Sequence, residues 1–175
     1  MTLTDLIPSV RTMIADPLGL DRWPACTAST PADVFVAGVS HVRLAEICGT
    51  PCVHTAQAVL PGTHGRPSPT DTVTSVVVTV VSVGRHPAGS LLVTVDADLA
   101  RVDADLTEAR LIGRVSTARD VEALLTNTCV HPDAGTPFSL LGTGLPGDLA
   151  AGDLLVFPCR GLVTLHDVRV VDAHR

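Results

Sequence analysis

The order of apolar and polar residues divides the chain into a helical beginning and a long β-rich remainder. Near the N-terminus, apolar residues recur every three or four positions, which predicts an amphipathic helix that Pro8 can interrupt. The residues of this apolar face are Leu3, Leu6, Ile7, Val10, Met13 and Ile14. Ser40 and Gly49 are typical capping residues, so the segment between them predicts a short helix over about 41–48.

From Thr72 the pattern changes to a long valine-rich run, TVTSVVVTVVSVG, which favours a pleated strand because β-branched side chains pack well on a sheet. The turn at 85–89 and the following LLVTVDAD predict a hairpin. Further strands are expected at 109–115, 121–130, 138–142, 153–159 and 162–171. With a short strand at 33–37 and little helix after residue 50, the chain is expected to be mainly β, a closed or partly open β-barrel or a sandwich.

Length and composition predict one globular domain. The chain has 175 residues, of which 46% are hydrophobic and 17% charged. Residues 1–31 are expected to form the N-terminal helix and a connection, and 33–172 the barrel. The net charge of -6 argues against nucleic acid or an anionic membrane as main partner. No apolar run long enough to span a membrane and no secretory leader are evident, so a cytoplasmic protein is expected. Five cysteines, an odd number, favour free thiols over a disulfide framework.

Five motifs occur in an order that is similar to one enzyme family. They are GVSHVRLAEICGTPCVHT at 38–55, LPGTHGR with VTSVVVTVVSVG at 60–84, LLVTVDAD at 91–98, TCVHPD at 128–133 and LAAGDLLVFPCRG at 149–161. The series resembles the parts of pyridoxal-phosphate-dependent diaminopimelate and ornithine decarboxylases, of the alanine racemase-like fold, that build the C-terminal β-barrel domain. Those enzymes carry a (β/α)8 barrel that would be missing here, between Thr55 and Leu60. The resemblance implies a barrel of the decarboxylase C-terminal-domain type and a tendency to form homodimers.

The chain departs from this family where the cofactor would be bound. Family members hold pyridoxal phosphate on a lysine, and this sequence has twelve arginines and no lysine. The glutamate that follows the signature cysteine is replaced by Val130, and the family's Gly-Ala-Tyr becomes Gly161-Leu162-Val163. Decarboxylation on pyridoxal phosphate by this polypeptide is therefore excluded, and no cofactor is expected. The lysine-free, alanine- and valine-rich composition is typical of a GC-rich bacterial genome such as an actinobacterium.

Cys129, His131 and Asp133 are the candidate catalytic residues. Their alternating positions would place them on one face of a strand. A histidine beside a carboxylate can act as an acid–base pair, and a neighbouring thiol can serve as a nucleophile. The resemblance also puts the Cys129 segment at an active site shared between subunits. A solvated loop, interrupted by Pro132, would account for the same residues.

His64, Arg66 and Arg160 are the candidate substrate-binding residues. The resemblance aligns Arg66 with a Pro-Gly-Arg segment that contacts acidic substrates, and it puts Arg160 near the former cofactor edge. A guanidinium fork suits a carboxylate or a phosphate. The simpler alternative is that these residues are solvated side chains of exposed loops.

A metal site is the weaker hypothesis. Cys-Val-His occurs at 52–54 and at 129–131, so two meeting strands would offer Cys52, His54, Cys129 and His131 to a zinc ion. The alternative, buried cysteines beside surface histidines, needs no metal, and no bound metal is expected.

Two functions from different classes remain open. The first is a stand-alone, cofactor-free enzyme that catalyses isomerisation, cyclisation or lyase chemistry on a small molecule of bacterial specialised metabolism. The alternative is a non-catalytic dimerising partner or regulatory subunit of a biosynthetic enzyme, and complementation by a separate lysine-bearing chain is the least favoured case. A pocket with converging polar groups would favour the enzyme, whereas a filled barrel with exposed apolar side chains would favour the partner.

Overall fold

The computed structural model describes residues 3–87, 89–127 and 140–170. Its helices are α1 (Leu3–Leu6), α2 (His41–Cys48) and α3 (Leu165–Val168), with 3-10 turns at Pro8–Thr12 and Leu106–Glu108. Its strands are β1 (Thr27–Thr30), β2 (Asp33–Val36), β3 (Val39–Ser40), β4 (Cys52–Val59), β5 (Pro67–Arg85), β6 (Leu91–Val95), β7 (Arg110–Ile112), β8 (Asp120–Asn127), β9 (Leu140–Pro146) and β10 (Leu154–Arg160). Within the described residues, no helix has the length and apolar character needed to cross a membrane.

A nearly closed barrel dominates the fold, and the mainly β class predicted from the sequence is confirmed. Its seven strands run in the order β7-β10-β5-β6-β8-β9, and β4 pairs with β5 beside them. β5 has 19 residues and is long enough to pair with different strands along its length. Its first part pairs with β4 and β10, and its last part pairs with β6. The edge strands β7 and β9 approach each other, and a seam is left open between them.

Apolar side chains fill the barrel. They come from alternate positions of the strands, and many of them, such as Val78, Leu125 and Phe157, are fully buried. Burying such a side chain contributes about 1.5–3 kcal/mol. The interior is therefore a packed core in the part of the chain that the structure describes.

A second layer covers the outer face of the barrel where β4, β5 and β10 lie. It consists of the antiparallel sheet β1-β2-β3 with α2, so the predicted strand at 33–37 belongs to this layer and not to the barrel. Trp23 and Val34 pack there against Val77 and Val156. The predicted helix over 41–48 is confirmed, since the Ser40 hydroxyl accepts the Arg43 amide at its start and Gly49 ends it at φ +71°.

The N-terminal helical segment is present in two short pieces. Proline lacks an amide hydrogen and fixes its own φ, so regular helix stops before Pro8 and a 3-10 turn follows. The apolar residues of the predicted face are largely exposed, and 84% of Met13 is accessible. The buried residues are instead Thr4 and Arg11.

The prediction of a strand at 162–171 is wrong. The chain forms α3 there, because Thr164 and Asp167 build a capping box in which the Asp167 carboxylate accepts the Thr164 amide at 2.8 Å. Hydrogen bonds from the Thr164 hydroxyl and amide lower the pKa of Asp167. This local polar motif outweighs the β propensity of the surrounding valines.

Candidate functional site

A cleft of about 300 Å³ lies at the seam of the barrel. Its walls are β7 and β9, the segment Arg11–Pro17 after α1, and the turn that joins β1 to β2. Its floor is apolar, with Ile112 and Leu145, and its rim carries arginine and aspartate side chains. This volume is at the lower end of the range for small-molecule sites.

The backbone explains why the seam stays open. β7 has only three residues, and Gly113, at φ +85°, turns the chain so that its amide donates to the Ala32 carbonyl at 2.7 Å. Glycine is favoured at position 113, since other residues rarely adopt this φ.

Arg11 connects the N-terminal segment to the cleft. Its Nε donates to Asp16 at 3.2 Å, its Nη1 to the Ala118 carbonyl at 3.0 Å, and its Nη2 to Asp120 Oδ2 at 2.5 Å. Burial opposes the charge of this guanidinium, but hydrogen bonds and ion pairs with Asp120 and Asp16 outweigh it and raise the pKa. Arg11 therefore stays charged, and each of its nitrogens has a partner.

Arg114, which also lines the cleft, is held in the same way by carboxylate groups. It makes two bonds to the Asp153 carboxylate, from Nε at 2.7 Å and from Nη2 at 2.6 Å. It also donates to the Asp148 carbonyl at 3.0 Å. The fork to Asp153 raises the pKa of Arg114, while for Asp153 burial is outweighed by the bonds from Arg114 and the Ala150 amide, which lower its pKa.

Arg110 links the cleft to the second layer. It donates to the Pro17 carbonyl at 2.9 Å and to Glu108 at 3.4 Å. Glu108 in turn accepts Trp23 Nε1 and the Gly19 amide, both at 3.0 Å. The Arg110 Nε is buried and has no partner within the described residues.

The charges around the cleft are unbalanced towards the acidic side. Three guanidinium groups, those of Arg11, Arg110 and Arg114, line it. The lining residues and the ion-pair partners of these arginines supply six carboxylates, those of Asp16, Asp33, Asp120, Glu108, Asp148 and Asp153. Arg22, which also approaches Glu108, is itself paired with Asp105 and leaves the balance unchanged. The side chains that line the cleft are balanced, with three guanidinium groups and three carboxylates, and the excess of three negative charges in the surrounding region comes from Glu108, Asp148 and Asp153, which pair with the arginines.

The predicted substrate-binding residues do not meet at one site. His64 and Arg66 are exposed on the β4–β5 turn, whereas Arg160 is exposed at the end of β10 beside Val73. Pro67 and Val73 are six positions apart on β5, a distance of about 20 Å along an extended strand. None of the three side chains lines the seam cleft.

The predicted catalytic residues Cys129, His131 and Asp133 lie outside the described residues, so their roles stay predictions. The nearest described positions are Asn127, at the end of β8, and Leu140, at the start of β9. Both lie at the end of this strand pair that is remote from Asp120 and Pro146, which line the cleft.

The other half of the hypothetical metal site is on β4. Cys52 is buried, which raises the pKa of its thiol to about 11, and it therefore stays protonated at neutral pH. The His54 ring lies 5.7 Å from that of His41, and its Nδ1 is buried without a hydrogen bond to a described residue. Among the residues that the structure describes, no three histidine, cysteine or acidic side chains are grouped as metal ligands.

The cleft residues themselves were not predicted. The sequence signal that could have indicated Arg11 is its position: it is a charged residue within an apolar helical pattern, which suggests a buried, oppositely charged partner. That partner, Asp120, is 109 positions away, and only the folded chain brings the two together.

Fold and cleft together define a mainly β protein whose barrel carries a polar, ligand-sized cleft at its open seam. No protein-family model matches the chain, and a search of curated proteins finds no match either. The relation to the decarboxylase barrel domain therefore remains a prediction from the sequence motifs.

Proposed function

We propose that this protein is a stand-alone barrel that binds a small organic molecule at the seam cleft and acts on it without a cofactor. The observation that carries the proposal is the cleft itself, where an apolar floor meets a rim of fixed charges. Small-molecule sites combine apolar walls with a few oriented polar groups in this way.

The chemistry that suits this arrangement is isomerisation, cyclisation or elimination of the lyase type. Such reactions need an oriented substrate and one group that takes up a proton. The Asp16 and Asp120 carboxylates are about one-third exposed, so they can accept a hydrogen bond or a proton from a bound molecule. Cys129, His131 and Asp133 remain the proposed alternative source of acid–base and nucleophilic groups.

A fragment screen by NMR tests the binding step. A library of neutral, cationic and anionic fragments is added to the 15N-labelled protein, and amide shifts are mapped for Leu111, Gly144 and their neighbours. Hits that shift these amides, and that disappear in Gly144→Leu, support the proposal. The added leucine would fill the cleft, whereas a Cβ at this position makes only an ordinary 3.6 Å contact with Asp120 Cβ. A library in which no fragment perturbs the cleft amides would refute it.

A dimerising partner protein is the second candidate, favoured by the filled barrel and by the exposed apolar residues near the N-terminus. A native mass spectrum checks the expected homodimer. The double variant Leu6→Glu/Met13→Glu should then be monomeric, while Val81→Glu, an exposed position on β5, should leave the dimer intact. A monomeric wild-type protein would remove this candidate.

A further inference from the structure

We propose that the ligand of the seam cleft carries a positive charge, as an ammonium or guanidinium group, and that Asp120 contacts this group. The inference rests on the proposed function, because it names the ligand class of the same cleft.

The first argument is that the strongest donors of the cleft are already in use. Arg11 directs its three nitrogens at Asp16, Ala118 and Asp120, and Arg114 directs its own at Asp148 and Asp153. The third lining guanidinium, that of Arg110, donates to Ala109, Pro17 and Glu108, and its one nitrogen without a partner among the described residues, Nε, is buried. An anionic ligand would have to break these charge-assisted bonds before it could bind a guanidinium. The part of the cleft that the structure describes therefore lacks guanidinium donors that are free to bind a carboxylate or a phosphate.

The second argument is that Asp120 offers an acceptor to a ligand. Asp120 contacts Arg11 through Oδ2, its side chain is 31% exposed, and it lines the cleft. Within the described residues, its Oδ1 takes part in no hydrogen bond. The carboxylate of Asp33 is unlike it, since both of its oxygens accept bonds from the start of α2 and from Val34.

The third argument is electrostatic and steric. The excess of three negative charges attracts a cation, and the apolar floor can hold the carbon skeleton that carries it. Arg11 itself shows that a guanidinium fits between Asp16 and Asp120. A bare metal ion is not favoured as the ligand, because no three histidine, cysteine or acidic side chains of the described residues lie close enough together to bind one.

A peptide strand added between β7 and β9 is the competing occupant, and the geometry disfavours it. An inserted strand needs two interstrand spacings, together about 9.6 Å. The Cα atoms of β7 and β9 already come within 8 Å of one another. A small molecule fits this gap, whereas a strand does not.

The test compares three probes of equal size and different charge: 4-fluorobenzylamine, 4-fluorobenzyl alcohol and 4-fluorobenzoate. Ligand-observed 19F NMR titrations measure their affinities for the full chain. We expect the amine to bind more tightly than the alcohol by roughly fivefold, the effect of a partly exposed ion pair, and the benzoate to bind more weakly than both. The advantage of the amine should shrink as salt is added.

Two variants assign the effect to Asp120. Asp120→Asn should abolish the advantage of the amine but retain the alcohol, whereas Glu46→Gln removes the same charge from an exposed pair on α2 and should change nothing. Gly144→Leu should abolish binding of all three probes. If the alcohol or the benzoate binds as well as the amine and is lost in Gly144→Leu, the charge inference fails while the proposed function stands. If no probe and no library fragment reaches the cleft, both fail.

Discussion

At the scale of single residues, His41 is the most constrained polar side chain. It is fully buried at the start of α2, where its Nδ1 donates to the Val34 carbonyl at 2.9 Å and its Nε2 lies 2.6 Å from Ser75 Oγ. Ser75 Oγ is also 3.0 Å from the His54 carbonyl, and its single proton can serve only one of these acceptors at a time. Burial lowers the pKa of His41, and the charge of His54 lowers it further. The hydrogen bond to Val34 and the charge of Asp33 act in the opposite direction.

We expect this histidine to make the protein less stable in mild acid. Because its pKa is lower in the folded state, the unfolded chain takes up a proton first as the pH falls below about 6.5, and the free energy of unfolding drops by up to about 1.4 kcal/mol per pH unit. Urea unfolding at pH 7.5, 6.5 and 5.5 measures this slope. His41→Asn keeps a donor for Val34 and should flatten the profile, whereas His64→Asn, on the exposed turn, should not. Equal slopes in all three proteins would contradict the assignment.

At the scale of elements, the buried side chain of Arg11 is an anchor of the N-terminal segment. Its apolar residues face outward, so Arg11, bound to Asp16 and Asp120, supplies much of its attachment to β8.

Arg11→Ala should release this segment. The loss should cost about 1–2 kcal/mol of global stability, because it leaves two partly exposed carboxylates without their cation. Hydrogen exchange followed by mass spectrometry should show faster exchange over residues 3–16. Arg43→Ala is the matched control, since Arg43 is exposed and paired only with Glu46. Unchanged exchange in Arg11→Ala would mean that other contacts hold the segment.

Elements set by local signals could be predicted, and those set by distant contacts could not. α2 follows from Ser40 and Gly49, and the part of β5 from Thr72 onward follows from its valines, so both were predicted from sequence, whereas the start of β5 at Pro67 was not. The strand expected at 162–171 was wrong because two polar residues, Thr164 and Asp167, cap a helix there. The cleft could not be predicted, since it depends on the register of β7 and β9 and on the ion pair between Arg11 and Asp120, which are 109 positions apart.

At the scale of the whole molecule, the barrel and its second layer share β5 and β10. Val78 points into the barrel, whereas Val77 packs in the second layer with Trp23, the single tryptophan. Glu108 joins Trp23 to Arg110 on β7 and so adds a polar connection between the layers.

The two layers should therefore unfold together. Tryptophan fluorescence reports the second layer and far-ultraviolet circular dichroism mainly the barrel, and we expect their urea transitions to coincide. Val77→Ala and Val78→Ala should each shift both transitions equally, by about 1–3 kcal/mol. A fluorescence transition at lower urea would show that the second layer opens separately.

The length of β5 also has a consequence during synthesis on the ribosome. Its central valines pair with β10, and β10 ends at Arg160, 75 residues after β5 ends at Arg85. At a translation rate of about 5–20 residues per second, this edge waits roughly 4–15 s for its partner. An uncharged, β-branched edge exposed for that time is the kind of segment that associates with other nascent chains. Slow codons between β6 and β10 should therefore lower the soluble yield, and chaperones that bind extended apolar segments should restore it.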